Sequence, residues 1–396
     1  MSKVMEINAI TKPRAGTEPL VRSSWLSKLL LCVITLAAFM EGGSRLVLSI
    51  NRLRQRVTGF DDSSYRLQWI RLHRIHQEWT GKYAIYHPTR GWTLKPDIKE
   101  LPVFGKKILN SNSKGIRGKE EYQYERTAGK QRMVVLGDSF TFGEEVSDDE
   151  TYSHDLQSSL PGTEILNLGV QGYGHDQMLM YLKEEGVKYH PDVVVLGFAY
   201  LDIYRNIESF FAYAKPRFEL ASDGLQLTNV PVPTPEHVLA EEAYRPKSLD
   251  LMVILREKLR WSFGKNEVEA REVSRRLLDQ IVATTRSIGA TPVFVYLPVY
   301  EEIEPLPKSA YLLTASSPPV EDREKYLNDF CQQRDVPCLF LRSRFHEEVQ
   351  KGANFNAAGH WNAQAHNLAA QEIKSFLLQR NLIQAGSKST NSHTSL

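Results

Sequence analysis

Three cysteines in a chain of 396 residues exclude a disulfide framework. No sign of charge prevails: 49 Lys and Arg stand against 47 Asp and Glu, a formal net charge of +2. That excludes the broad basic footprint of a nucleic-acid binder and the acidic, aromatic-poor profile of a disordered solvating chain. No internal repeat is visible, which argues against solenoids and propellers. Long hydrophobic runs are scarce, and the one that stands out lies near the N-terminus. What is present is a chain 42% hydrophobic and 10% aromatic, enough for a sizeable core. The length suits one large domain with appendages.

Residues 1–24 are polar and carry Pro13, Gly16 and Pro19, which reads as a disordered lead. Residues 25–50 follow as a predicted transmembrane helix. Its uninterrupted apolar part, 29–40, is shorter than the roughly 20 residues a span needs. Lys28 can snorkel at one end, and Glu41 and Arg45 stand four apart, where they can pair on one helix face. With those turns the segment is long enough to cross. A cleaved signal peptide is the alternative, but no clean small-x-small site follows Ala38; a buried helix of a soluble protein is the third reading. Lysines and arginines flank the segment on both sides, so charge does not set its orientation.

From residue 131 to 382 the text alternates strand and helix. Apolar runs at 133–137, 164–169, 192–197, 292–298 and 338–342 read as five strands. Helical patterns at 151–160, 176–189, 266–288, 320–334 and 363–379 separate or follow them. That alternation predicts an α/β fold, a parallel doubly wound sheet with helices on both faces. Residues 51–130 are aromatic and turn-rich, as in Tyr86-His-Pro-Thr-Arg-Gly-Trp92, and read as a strand-rich lead-in. Residues 207–262 are an insertion with hairpin character around Asp223-Gly224, ended by Pro231, Pro233 and Pro235. Residues 383–396 read as a disordered tail.

In an open parallel sheet, ligands sit beyond the carboxyl ends of the strands. After the first strand comes Gly137-Asp-Ser139-Phe-Thr-Phe-Gly143, and after the second Gly169-Val-Gln-Gly172-Tyr-Gly174. After the third comes Leu201-Asp202-Ile-Tyr-Arg205-Asn206. Just before the last helix stands Gly359-His360-Trp361-Asn362. This set, in this order, resembles the SGNH (GDSL-like) hydrolase superfamily over residues 132–380. Gly91-Trp92-Thr-Leu-Lys-Pro96 and Asn112-Ser-Lys-Gly-Ile-Arg-Gly118 resemble membrane-anchored bacterial members, which carry one N-terminal helix and an extracytoplasmic catalytic domain. Some relatives modify acyl groups on exported polysaccharide.

The resemblance implies a flavodoxin-like sheet and a serine esterase or acyl hydrolase without a cofactor. Its partners would be membrane lipid, through one helix, and an acylated small molecule or polysaccharide; polysaccharide-export machinery is a further candidate. The residues themselves suit that chemistry. Ser139 lies just past a strand end, where a hydroxyl is exposed and its own N–H can face an oxyanion. A serine needs a base, and His360 is the candidate. Gly172 lets backbone approach a ligand and is the second oxyanion donor by resemblance. Asp138 has a structural role in the family.

Two departures stand out. The family's third oxyanion donor, an asparagine before an aspartate, is Leu201 here, followed by Asp202. Arg205 or Asn206 could reach in instead. The aspartate expected two or three residues before the histidine is Ala358 or Ala357; Asn356 or Asn354 could orient the ring. An O-acyltransferase uses the same machinery with a sugar hydroxyl in place of water, and a degenerate glycan-binding or export-assembly protein would tolerate both departures. His154, His175 and His190 lack metal-ligand spacing with carboxylates. Cys331 and Cys338 read as two core cysteines, although they could bridge in an oxidising compartment.

Overall fold

The computed structural model describes residues 21–76, 83–304 and 318–384. The polar lead at 1–20 and most of the expected tail, from 385 on, lie outside the described residues. The chain divides into two compact units, Met1–Arg56 with Pro246–Leu251, and Val57–Arg245 with Met252–Leu396.

The first unit contains the helix Val21–Ser49. Its stretch Trp25–Ser49 is long and apolar enough to cross a membrane, and its apolar side chains from Trp25 to Met40 are exposed. Arg45 pairs with Glu41 across one turn at 2.8 Å. The Glu41 carboxylate also accepts from the N–H groups of Lys247 and Ser248 at 3.0 and 2.9 Å.

The second unit is built on five parallel strands: β1 (Gln131–Gly137), β2 (Thr163–Gly169), β3 (Val193–Phe198), β4 (Thr291–Tyr296) and β5 (Cys338–Phe340). Their order in the sheet is β2-β1-β3-β4-β5. This is the flavodoxin-like order, with its switch point between β1 and β3. The strands are continuous apolar runs because both faces are covered; Val134, Val135, Leu136, Val194 and Phe294 have almost no exposed surface.

Five helices flank the sheet: α1 (Tyr152–Ser159), α2 (His175–Glu184), α3 (Lys265–Ser287), α4 (Val320–Arg334) and α5 (Ala363–Gln379). The β1–β2 and β2–β3 crossovers run in opposite directions along the sheet. Right-handed connections therefore put α1 and α2 on opposite faces, where α1 packs on α5 and α2 on α3.

Two expectations need correction. The lead-in at 51–130 is not strand-rich from its start: it opens with helices Asn51–Val57 and Asp62–His76. Only then come two small hairpins, Ala84–His87 with Gly91–Leu94 and Leu101–Val103 with Lys107–Leu109. Short polar-rich helices fold on tertiary packing more than on their own pattern, so the aromatic text hid them. In the second correction, Cys331 and Cys338 form a disulfide rather than two free cysteines. The αL turn at Asp335 brings the end of α4 back beside β5, a fold-back that sequence spacing does not show. The insertion holds the expected hairpin, Arg217–Ala221 with Gly224–Thr228, and also helices Pro235–Tyr244 and Lys247–Ser262.

Candidate active site

Ser139 opens a single helical turn, Ser139–Phe142, directly after β1 at the switch point. Asp138 caps that turn, accepting from the Phe140 N–H at 3.0 Å, so the Ser139 N–H lies in the first turn, where helices leave donors unpaired. The turn lies close on the sheet because the strand ends carry glycine. A Cβ at Gly137 or Gly197 would come within 2.0 or 2.4 Å of Thr141 Oγ1, and one at Gly169 within 2.3 Å of the Phe142 nitrogen. Thr141 is held in turn by Tyr152 and Asn167, each at 2.9 Å.

His360 arrives from the other end of the chain. It starts the second strand of a minimal hairpin in which Asn356 pairs with Trp361 and Ala357 with His360. Ala358 and Gly359 form its turn with φ of 48° and 94°, the paired left-handed conformation of a two-residue hairpin turn. Trp361 anchors this strand: it is buried, and its indole N–H donates to the Pro298 carbonyl at 3.0 Å. The Phe140 ring packs against both His360 and Trp361, with centroids 5.1 and 5.3 Å away. The outcome is that His360 Nε2 and Ser139 Oγ stand 3.0 Å apart, although 221 residues separate them. In the tautomer with Nδ1 protonated, the serine hydroxyl donates to Nε2.

Gly172 follows β2, beside the Ser139 turn: Gly137 and Gly169 are register partners, and the Val170 N–H donates to the Gly137 carbonyl at 3.1 Å. Gly172 has φ of 75°, and a Cβ there would meet Phe211 and Trp92 at 3.3 and 3.4 Å. Both a left-handed backbone and a crowded site therefore call for glycine.

The supporting residues divide. Arg205 lines the cavity that holds Ser139 and His360. Its Nη1 donates to Asp138 at 3.2 Å, to the Tyr173 carbonyl at 2.9 Å and to Asp202. Asp202 is fully buried. Burial first, then the neighbouring Asp138, pushes its carboxyl well above the usual range; its bond from Arg205 makes it a brace for that guanidinium. Asn206 turns away: its amide contacts His175 Nδ1 at 3.1 Å, and its oxygen accepts from the Asp176 N–H at 3.3 Å. Asn356 accepts from the Gly359 N–H at 2.8 Å and Asn354 from the Asn356 N–H at 3.0 Å. Those two amides shape the hairpin; the expectation that either holds the imidazole is corrected.

Three groups escaped the sequence reading. Glu144 Oε2 stands 3.6 Å from His360 Nε2, on the side away from Nδ1, which has no carboxylate partner among the described residues. Arg117, from the Asn112–Gly118 motif, is buried and donates to the carbonyls of Phe142, Gly143 and Val146 at 2.5, 2.6 and 2.6 Å, and to Asp148 at 2.9 Å. It fastens the loop that leaves the Ser139 turn. Trp92 donates to the Gln171 carbonyl at 2.9 Å, and its own carbonyl accepts from Tyr173 at 2.5 Å, which clamps the Gly172 loop. The lead-in motifs were visible as text; what they grip was not.

No family model matches the chain, and no curated protein matches it. Among solved structures it is similar to TesA, at 13% identity over 64% of this chain and 100% of that one, with a TM-score of 0.39. It is similar to the acetyl xylan esterase AlAXEase, at 10% identity over 62% and 98%, TM-score 0.39. A third is a member of the lipolytic protein G-D-S-L family from Veillonella parvula DSM 2008, at 14% identity over 62% and 97%, TM-score 0.35. Identities this low leave the chemistry to be argued from the site itself.

Proposed function

We propose that the protein is an SGNH-type serine ester hydrolase, held in a bacterial inner membrane by the helix Trp25–Ser49 with its catalytic unit outside the cytoplasm. The observation that carries the hydrolase reading is the 3.0 Å approach of Ser139 Oγ to His360 Nε2, within hydrogen-bond reach for nucleophile and base. Ser139 Oγ attacks the ester carbonyl carbon as Nε2 takes its proton. The N–H groups of Ser139 and Gly172 hold the oxyanion. Collapse breaks the bond to the alcohol oxygen, which receives the proton from the imidazolium. Water, deprotonated by His360, then releases the acyl group and restores Ser139. With a sugar hydroxyl in the place of that water, the same steps make an O-acyltransferase, and an acylated exported polysaccharide is a fitting substrate for either.

Leu201 and the bare Nδ1 favour one second reading, a non-catalytic glycan-binding or export-assembly protein. A fluorophosphonate probe separates the two. Labelling of the wild type and none of Ser139→Ala is expected; a folded wild type that stays unlabelled sinks the hydrolase. The anchor is supported by helix length and apolarity, and the disulfide suits an oxidising compartment. Protease added to intact spheroplasts should degrade the catalytic unit, and full protection there would contradict this topology.

A further inference from the structure

Ser139 and His360 stand at one end of a cavity of about 180 Å³ whose lining is mostly carbon. Its walls are Phe60, Tyr65, Leu201, Tyr204 and Phe211. Three of these, Phe60, Tyr65 and Phe211, come from the lead-in and the insertion, outside the strands and helices that frame the nucleophile. The walls are braced. Tyr65 and Phe211 meet edge to face with centroids 4.8 Å apart, and Phe60 packs on Tyr65 at 6.3 Å and on Tyr204 at 6.4 Å. Asp62 accepts from the N–H groups of Ser209 and Phe210 at 2.7 and 2.9 Å, pinning the loop that carries Phe211. The charged groups in the lining are engaged or neutralised. The Arg205 guanidinium lies 4.9 Å over the Phe211 ring and is bonded to Asp138 and Asp202. Burial and the nearby Asp62 hold Glu208 toward its neutral form. Leu201 presents carbon where the resembled family places an amide.

Resting on the serine-hydrolase reading above, we infer that this cavity is an acyl pocket and that the ester cleaved carries an apolar acyl chain longer than acetyl. An apolar cavity of about 150 Å³ suffices to take up benzene, so a chain of about six carbons fills this one and an acetyl group leaves most of it empty. The alcohol lies on the other side. His360 Nε2 must face the leaving oxygen, and its second neighbour, Glu144, lines the adjoining cavity with Gly172. The acyl chain on the carbon-lined side and the alcohol beside Glu144 and Gly172 give the ester a single direction across the site.

The test uses the full chain in detergent with p-nitrophenyl acetate, butyrate, hexanoate and decanoate, alongside fluorophosphonate labelling of Ser139. Each methylene buried multiplies binding about fourfold, so kcat/KM for hexanoate should exceed that for acetate at least about tenfold, and decanoate should fall back. Leu201→Phe, which fills the pocket, should lower the hexanoate-to-acetate ratio about tenfold. Phe211→Ala, which opens it, should move the preference toward decanoate. Equal or greater efficiency on acetate, with Ser139 labelled, overturns the pocket and leaves the hydrolase standing. A ratio unmoved by both substitutions, in variants that melt like wild type, overturns it as well. No labelling and no turnover of any ester removes the hydrolase reading and the pocket with it.

Discussion

The two halves of the candidate site are held in opposite ways. On the serine side, Asp138, Ser139, Phe140 and Thr141 are all buried, on a turn seated against three strand ends. On the histidine side, Asn356 and Ala358 are exposed, and the His360 side chain keeps 24% of its surface. One buried tryptophan and a two-pair hairpin hold it. A packed turn bonded through backbone and side chains has one arrangement; a short exposed hairpin opens locally at much lower cost. The serine is thus preorganised by the core, and the histidine is delivered by a loop whose two exposed amides accept from its own backbone.

The largest effect expected from breaking this pair is chemical. Ser139→Ala should lower ester turnover by at least about 10⁴-fold, and His360→Ala should do nearly the same, because members of such a unit are grossly non-additive. Circular dichroism and melting should change little, since removing one hydroxyl at a turn costs within about 1 kcal/mol. Turnover retained by the Ser139 variant would mean another nucleophile.

Loosening the rigid half comes next. Arg117→Met removes the guanidinium donor from the carbonyls of Phe142, Gly143 and Val146 and the cation from Asp148, whose other oxygen still accepts from Asn110. Removing one partner of a buried charged pair costs ~3–5 kcal/mol, read as a lower urea midpoint. At temperatures where the variant is still folded, kcat should fall about 10–100-fold because the turn carrying Ser139 loses its fixed exit. A normal kcat in the folded variant would show that the turn holds without Arg117.

Acid should also act on the rigid half first. His366 is fully buried, and its Nδ1 accepts from the Tyr152 N–H at 3.3 Å. Burial pushes its pKa down to about 3, and burial does the same to His175, also to about 3. Both groups are neutral in the fold and take up protons in the unfolded chain near pH 6.5. The stability they contribute is therefore present above pH 6.5 and is lost as the pH falls toward 3. One such histidine lowers stability by roughly 1.4 kcal/mol per pH unit within that window. Unfolding free energies from denaturant titrations between pH 7 and 4 should fall with the summed slope of the two histidines, and His366→Gln should reduce it by one proton's share. An unchanged slope in the variant would place the acid sensitivity elsewhere.

The smallest effect sharpens the flexible half. Ala358 pays for a left-handed backbone that asparagine, aspartate and glycine adopt readily. Ala358→Asn or Ala358→Asp should raise stability by about 0.5–1 kcal/mol, seen as a small rise in melting temperature. Turnover should change less than tenfold. If Ala358→Asp raises turnover much more than Ala358→Asn, the carboxylate is supplying the orientation that His360 Nδ1 lacks.

Most of the framework was legible in the text. Strands β1 to β4 appear as apolar runs long enough to be buried on both faces, and Ser139, Gly172 and His360 stand at loop positions after or before recognisable elements. The run at 338–342 carries β5 as well, whereas the helices at 51–76 were less clear, because short polar helices carry little periodic signal. Leu201 could be read only as a lost amide; the structure puts it in a carbon-lined wall with Phe60, Tyr65 and Phe211.

The chain's own pattern of burial determined a parallel sheet, because a run such as Met133-Val-Val-Leu-Gly137 has no face it can show to water. The order of glycines and of the serine and histidine blocks along the chain determined which loops could meet. Only the tertiary structure decided what met there: that Glu144 faces Nε2, that Arg117 fastens the Ser139 turn, that Asn206 and Asn356 are spent on other bonds. Those pairings depend on side-chain directions across elements far apart in sequence, such as the 221 residues between Ser139 and His360. Local propensity and periodicity carry no information about such directions, whereas the packing of a doubly wound core sets them to within an ångström.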